Sequence, residues 1–142
     1  MPTRVNRAGL AELKRRLGAV AFAGAQGGAG MLAEKLSGPG SGRHHAGLPH
    51  RSSAEGEYPA EQEGDLRDSI DARPTGEGAA LFGPINNPPA HLHALHARPP
   101  DMGGRPFMDD ARHDRDIHRA IVEGIEAEAR AQFGQATVRR TT

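Results

Sequence analysis

The sequence contains no cysteine and no tryptophan, and its 142 residues include one tyrosine and four phenylalanines. Without thiols, disulfides, thiolate metal sites and cysteine nucleophiles are all excluded. Aromatic residues make up 4% and hydrophobic ones 36%. The usual share is roughly 45–50%, a figure that includes glycine, so a large self-sufficient core is not expected. An excess of one charge is also missing. The 18 basic residues face 18 acidic ones, for a net charge of +0, which leaves no global field to hold a nucleic-acid backbone. No apolar run approaches the roughly 20 residues of a membrane span. No sustained apolar block follows the basic start at Arg4 and Arg7, so no signal peptide is read. The expectation is a soluble chain made in the cytoplasm. Glycine and proline are plentiful: 19 and 11 residues, near the proportion associated with disorder. The length is one domain's worth, and a chain so poor in apolar bulk is expected to lean on a partner.

From Asn6 to Leu36, apolar or small residues fall at Leu10, Leu13, Leu17, Val20, Gly24, Gly28, Met31, Leu32 and Leu36. This spacing predicts a helix, with Asn6 as its N-cap. Gly24, Gly27, Gly28 and Gly30 weaken the middle. They read either as a contact with another subunit or as a hinge between two helices sharing a face. A Gly/Pro/Ser-rich stretch from Ser37 to Gly64 is too long for an ordinary connection, and is expected either to be disordered in isolation or to be an arm that orders against a neighbour. Leu66, Ile70 and Ala72 alternate with polar residues, and Ala79–Gly83 is a short apolar run. With a turn over Pro74–Gly78, they predict a hairpin. His91 to Ala97 is left open between a third strand and a helical turn. Asp109 or Asp110 is expected to cap a last helix carrying Ile117, Ile121, Ile125 and Phe133 on one face, ending before Gly134. The polar tail from Gln135 to Thr142 is expected to be mobile in isolation. The fold class expected is α+β: long N-terminal and C-terminal helices packed on a small antiparallel sheet, with the arm outside, all in one domain. Segments 1–40 and 41–97 carry net charges of +4 and −4. That opposition suits head-to-tail self-association and suits internal neutralisation equally well.

The chemistry-bearing residues make few constellations. His91-x-His93-x-x-His96 has the look of a metal cluster, but no single regular element presents all three, and no carboxylate lies between Asn87 and Arg98. His44, His45, His50, His113 and His118 add no metal spacing, and exposed or interface histidines are the plainer reading. Nothing like a nucleophile elbow surrounds Ser69, and Gly24–Gly30 lacks the Lys-Ser/Thr of a P-loop. No enzyme, cofactor or metal is expected. Lys14-Arg15-Arg16 reads as a solvated face or one turned toward an acidic partner. A small histidine-rich metal-binding or DNA-associated factor is the alternative.

Three motifs point further. Ser53-Ala54-Glu55-Gly56-Glu57-Tyr58-Pro59-Ala60 fits a "Ser-Ala-x-Gly-Glu-x-Pro-Ala" run, and Gly64-Asp65-Leu66-Arg67-Asp68-Ser69-Ile70 fits "Gly-x-Leu-x-x-Ser-Ile". Glu63 stands where a threonine is usual. Arg105-Pro106-Phe107-Met108-Asp109-Asp110-Ala111 fits an "Arg-Pro-Phe" opening of the last helix. Together, in this order, they resemble the neck and tail-completion proteins of long-tailed double-stranded DNA phages. The resemblance covers residues 5 to 133. One departure is the family's "Tyr-Ala-x-x-x-Glu-x-Gly-Thr" strand, replaced here by Pro89-Ala90-His91-Leu92-His93-Ala94-Leu95-His96. The resemblance implies a structural virion protein, of a phage or a domesticated particle, that forms a ring of six subunits. Its partners would be the head connector or stopper and the tail tube, with DNA passing through the ring and no membrane involved. It also implies subunit-interface or structural roles for Ser53, Ala54, Gly56, Glu57, Pro59, Ala60, Gly64, Leu66, Ser69, Ile70, Arg105, Pro106 and Phe107.

Overall fold

The computed structural model describes Arg4 and residues 6–134. The expected tail at Gln135–Thr142, with Arg139 and Arg140, lies outside the described residues. The chain is α+β: the described residues form five α-helices, one 3-10 turn and a two-stranded antiparallel sheet.

Helix α1 runs unbroken from Arg7 to Lys35, 29 residues. Asn6 caps it, its side-chain oxygen accepting from the Gly9 amide at 3.0 Å. The glycine-rich middle is neither a hinge nor a surface left for another subunit. It is the crossing point with α5, Arg115–Phe133, which runs antiparallel to α1. A Cβ on Gly124 would lie 2.5 Å from the Ala23 carbonyl oxygen, and one on Gly27 would strike the Ala120 carbonyl. A Cβ on Gly28 would lie 2.6 Å from the Phe82 ring. Two backbones approach this closely only where side chains are absent, and that approach offsets the helix propensity the glycines lose. Gly30 faces open space.

The hairpin pairs β1 (Ile70–Gly76) with β2 (Ala79–Pro84). Ala72 lies opposite Phe82 and Arg73 opposite Leu81, with a bulge between Pro74 and Gly76. The expected turn therefore shrinks to Glu77-Gly78, and Pro74 to Gly76 join the strand. Leu66 to Ser69, expected as strand, form the single helical turn α2, Asp65–Ser69. A short apolar run fits either element, and Asp68, which broke the alternation, was the sign against a strand. The third strand is absent among the described residues: Leu92–Ala97 is helix α3.

The last helix is two. α4 spans Phe107–His113, and Asp114 then caps α5 by accepting from the Asp116 amide at 2.9 Å and from that of Ile117. The cap is therefore Asp114 rather than Asp109 or Asp110. The core is small: Leu32, Leu36, Phe107, Ala111 and Ile117, with Ile70 and Phe82 of the hairpin packed against it. Phe107 is 0% exposed, and His96 meets its ring edge-on at 4.9 Å between centroids.

Candidate functional site

The Ser37–Gly64 arm does not reach off the body; within this chain it folds back onto it. The Gly42 amide donates to Ser52 O (2.8 Å) and the Ser52 amide to Arg43 O (3.1 Å), pinning the arm's two legs together. Glu57 closes the base. Its carboxylate accepts from the Ala54 amide at 2.8 Å, from the Ser41 amide at 3.1 Å and from the Ser41 hydroxyl. The Ser41 hydroxyl and then those two amides hold the carboxyl below the usual range. Gly56 turns the chain at φ +84°, a region glycine adopts without strain. Pro59 is buried and Ala60 half-buried. The Glu61 amide then donates back to Gly38 O at 3.0 Å. The composition suggested an extended arm because it offers few core residues. Side-chain to main-chain bonds supply the order instead.

Arg105 clamps the arm to the body. It is 8% exposed. Its Nε donates to Ser53 Oγ at 2.8 Å and its Nη2 to Ser53 O at 2.8 Å, while Nη1 reaches Pro100 O (2.9 Å) and Gly104 O (2.6 Å). The fixed fork of a guanidinium suits this four-way grip, which an ammonium cannot copy. Pro106 follows as the N-cap of α4, and Phe107 enters the core. Arg105→Met removes the fork and takes the donor from the buried Gly104 carbonyl and the part-buried Ser53 carbonyl, at about 1–3 kcal/mol for each group left unsatisfied. Limited proteolysis of this variant should cut within residues 37–64 at a rate well above the parent's. Equal rates would remove the clamp role.

A second fastening joins arm, α1 and α5. The Tyr58 hydroxyl donates to Asp114 Oδ2 at 2.7 Å, and Lys35 Nζ lies 3.1 Å from Asp114 and 3.0 Å from Asp116. The Lys35 ammonium also sits 5.7 Å from the centre of the Tyr58 ring. Burial and then the Asp114 hydrogen bond push the tyrosine pKa up. Burial alone would raise the Asp114 carboxyl. The Tyr58 hydroxyl, Lys35 and the two amides it caps outweigh that and hold it at about 2, against an ordinary 3.8. A depressed carboxyl stabilises the fold above its unfolded pKa and loses that contribution as pH falls through the folded one. Stability should therefore fall by about 1–2 kcal/mol between pH 4 and pH 2 through this group, allowing for solvent screening. Urea unfolding across that range measures it. Asp114→Asn should flatten the slope.

The motif residues are thus brought together, but as internal braces. Gly64 opens α2 at φ +87°. Leu66 and Ile70 pack against the core. Ser69 is buried, its hydroxyl donating to Leu66 O at 2.6 Å. Sequence reasoning marked Tyr58 as one of the few arm residues able to enter a core and placed Asp114 near the start of the last helix, but it did not join them with Lys35 into one contact. The signals were a lone tyrosine inside an arm otherwise poor in bulk, and an aspartate directly before an apolar-periodic run. His91 stands at the start of α3, and His93 and His96 lie within it. Among the described residues no group of three or more histidines and carboxylates converges to hold a metal.

Between the arm and α2–α3 lies a cleft of about 740 Å³, with Leu36, Leu48, Pro59, Leu66 and Leu95 in its walls and Glu63 and Asp65 at its edge. Along the N-terminal half of α1, by contrast, a row of leucines is open to solvent: Leu10 at 43%, Leu13 at 45% and Leu17 at 46% exposed. No described helix is long and apolar enough to cross a membrane. Comparison with family models, with curated proteins and with solved structures finds no match to this chain.

Proposed function

We propose that the chain is a structural subunit of the neck of a phage or phage-like particle, forming a closed ring that joins or terminates the tail tube at the head–tail interface. The observation that carries this reading is the order of elements: long helix, Gly/Pro-rich arm, hairpin, Arg105-Pro106-Phe107, terminal helix. The small core and the open leucine row support it, because they leave apolar surface for neighbours to cover. Identical subunits in a ring meet through two different surfaces that close by rotation. Within one chain the arm folds on its own body, so on this reading it does not link copies by reaching across as an extended strand. The partners on this reading are copies of itself, the head connector and the tail tube. The place of action is the virion, after synthesis in the host cytoplasm, and no catalytic step is involved.

The test is imaging of assembled particles carrying a tagged copy of the chain. Label at the junction of head and tail is the expected result. Label spread along the tail, or particles without label, would remove the reading.

A further inference from the structure

We propose that in the free subunit the chain's own last residues, 135–142, lie across the leucine row of α1, with Ala136 and Val138 turned onto Leu10 and Leu13. This goes beyond the ring reading and does not depend on it. A neighbour that covers the row in a ring first displaces the tail.

The place where α5 stops carries the inference. Leu10, Leu13 and Leu17 follow one another at three- and four-residue steps, and the same face of α1 continues to Gly24 and Gly28. At Gly24 that face lies against Ile121 and Ile125 of α5, and at Gly28 against Ile121 and Phe82. Toward the N-terminus the cover runs out: Val20 is half-buried, and the three leucines are more than two-fifths exposed. A Cβ on Gly124 would touch Ala23 and one on Gly27 would touch Ala120, so in this antiparallel pair the end of α5 falls near residues 13–16 of α1. Arg16 marks the spot. Its Nη1 donates to Gln132 O at 2.9 Å, and its guanidinium carbon lies 5.9 Å from the centre of the Phe133 ring. Gly134, at φ +75°, ends the helix there, and residues 135–142 begin beside the open leucines.

Reach and pattern both suit them. Four extended residues, from Gly134 to Val138, span about 13 Å. Leu10 lies about 5 Å beyond Leu13 along α1, and packed helix axes stand about 8–10 Å apart, so Val138 reaches either leucine. Ala136 and Val138 alternate with Gln135, Thr137 and Arg139, which puts both apolar side chains on one side of an extended segment. Thr137, Val138, Thr141 and Thr142 are β-branched, as such a segment favours. Tethering selects this occupant over a separate partner. A segment anchored at Gly134 meets the row at an effective concentration on the order of millimolar. Arg139 and Arg140 come after Val138, toward the basic end of α1 at Arg7. Like charges therefore oppose the contact, apolar burial holds it, and added salt strengthens it.

The experiment uses the full chain in dilute solution, where light scattering reads a monomer. Trypsin cuts after Arg139 and Arg140, and mass spectrometry follows that cut. Leu13→Asp should speed it at least about tenfold, because a covered site is cut only when it opens. The ratio of variant to parent should widen in high salt. Ala136→Asp, a change confined to the tail, should act in the same way. Leu48→Asp, at an exposed position on the arm, should leave the rate unchanged. Circular dichroism checks that each variant is folded. The chain has no cysteine, so Leu13→Cys combined with Val138→Cys offers one pair. In a glutathione buffer that pair should close within a single chain, seen as a faster-running monomer on a non-reducing gel. A pair that stays open, or a disulfide that joins two chains, overturns the inference. Equal cutting of the parent, Leu13→Asp and Ala136→Asp overturns it as well. In each of these cases the ring reading stands, because it concerns assembled copies.

Discussion

Phe107→Ala should lower the unfolding free energy by about 3–5 kcal/mol, the range for removing a fully buried aromatic side chain. The size follows from position. Phe107 has no exposure, and it is the largest side chain in a core whose other fully buried hydrophobic members are Leu32, Leu36, Ala111 and Ile117. Its own helix offers little to fill the space, because α4 is short and its other buried residue is an alanine. His96 loses the ring it meets edge-on. A typical domain holds about 5–15 kcal/mol in total, so a large share of the margin goes with one residue. Urea unfolding followed by far-ultraviolet circular dichroism gives the number. A loss under about 1 kcal/mol would mean that the core closes over the gap.

The second large effect separates two glycines three residues apart on one helix. Gly27→Ala should destabilise by about 1–3 kcal/mol, because its methyl group meets the backbone carbonyl of Ala120 on α5 and neither helix can yield locally. Gly30→Ala should stabilise by about 0.5–1 kcal/mol, because nothing lies near it and alanine is the better helix former. Opposite signs from the same substitution, read in one urea series, test the crossing. The same sign at both would mean that α1 and α5 stand further apart.

The two long helices were legible because their signals are local. Asn6 and the leucine spacing mark α1, and the series Ile117, Ile121, Ile125 marks α5. Where the reading went astray, a distant partner decided. Asp109 and Asp110 look as good as Asp114 for a cap. Asp114 wins once the chain breaks there, with Tyr58 and Lys35, 56 and 79 positions away in sequence, holding its carboxylate. The glycines of α1 read as a weak point because propensity is a single-residue property. Their use depends on a helix nearly a hundred residues downstream. The composition of residues 37–64 did not disclose their course, which Glu57 and Arg105 brace through groups far apart in sequence. Leu66–Ser69 carried a two-residue period too short to separate strand from helical turn. The cleft and the open leucine row became visible only in three dimensions.

The α1–α5 crossing also constrains how the molecule comes to be made. Gly24, Gly27 and Gly28 find support only from residues 120 to 125 and from Phe82, so during vectorial synthesis the weakest part of α1 emerges from the ribosome long before its counterpart exists. Pairings this remote along the chain are slow to form, because the intervening loop must close first. Until then the face of α1 at Gly24, Gly27 and Gly28 stands without its cover, open to contact with whatever else is nascent nearby.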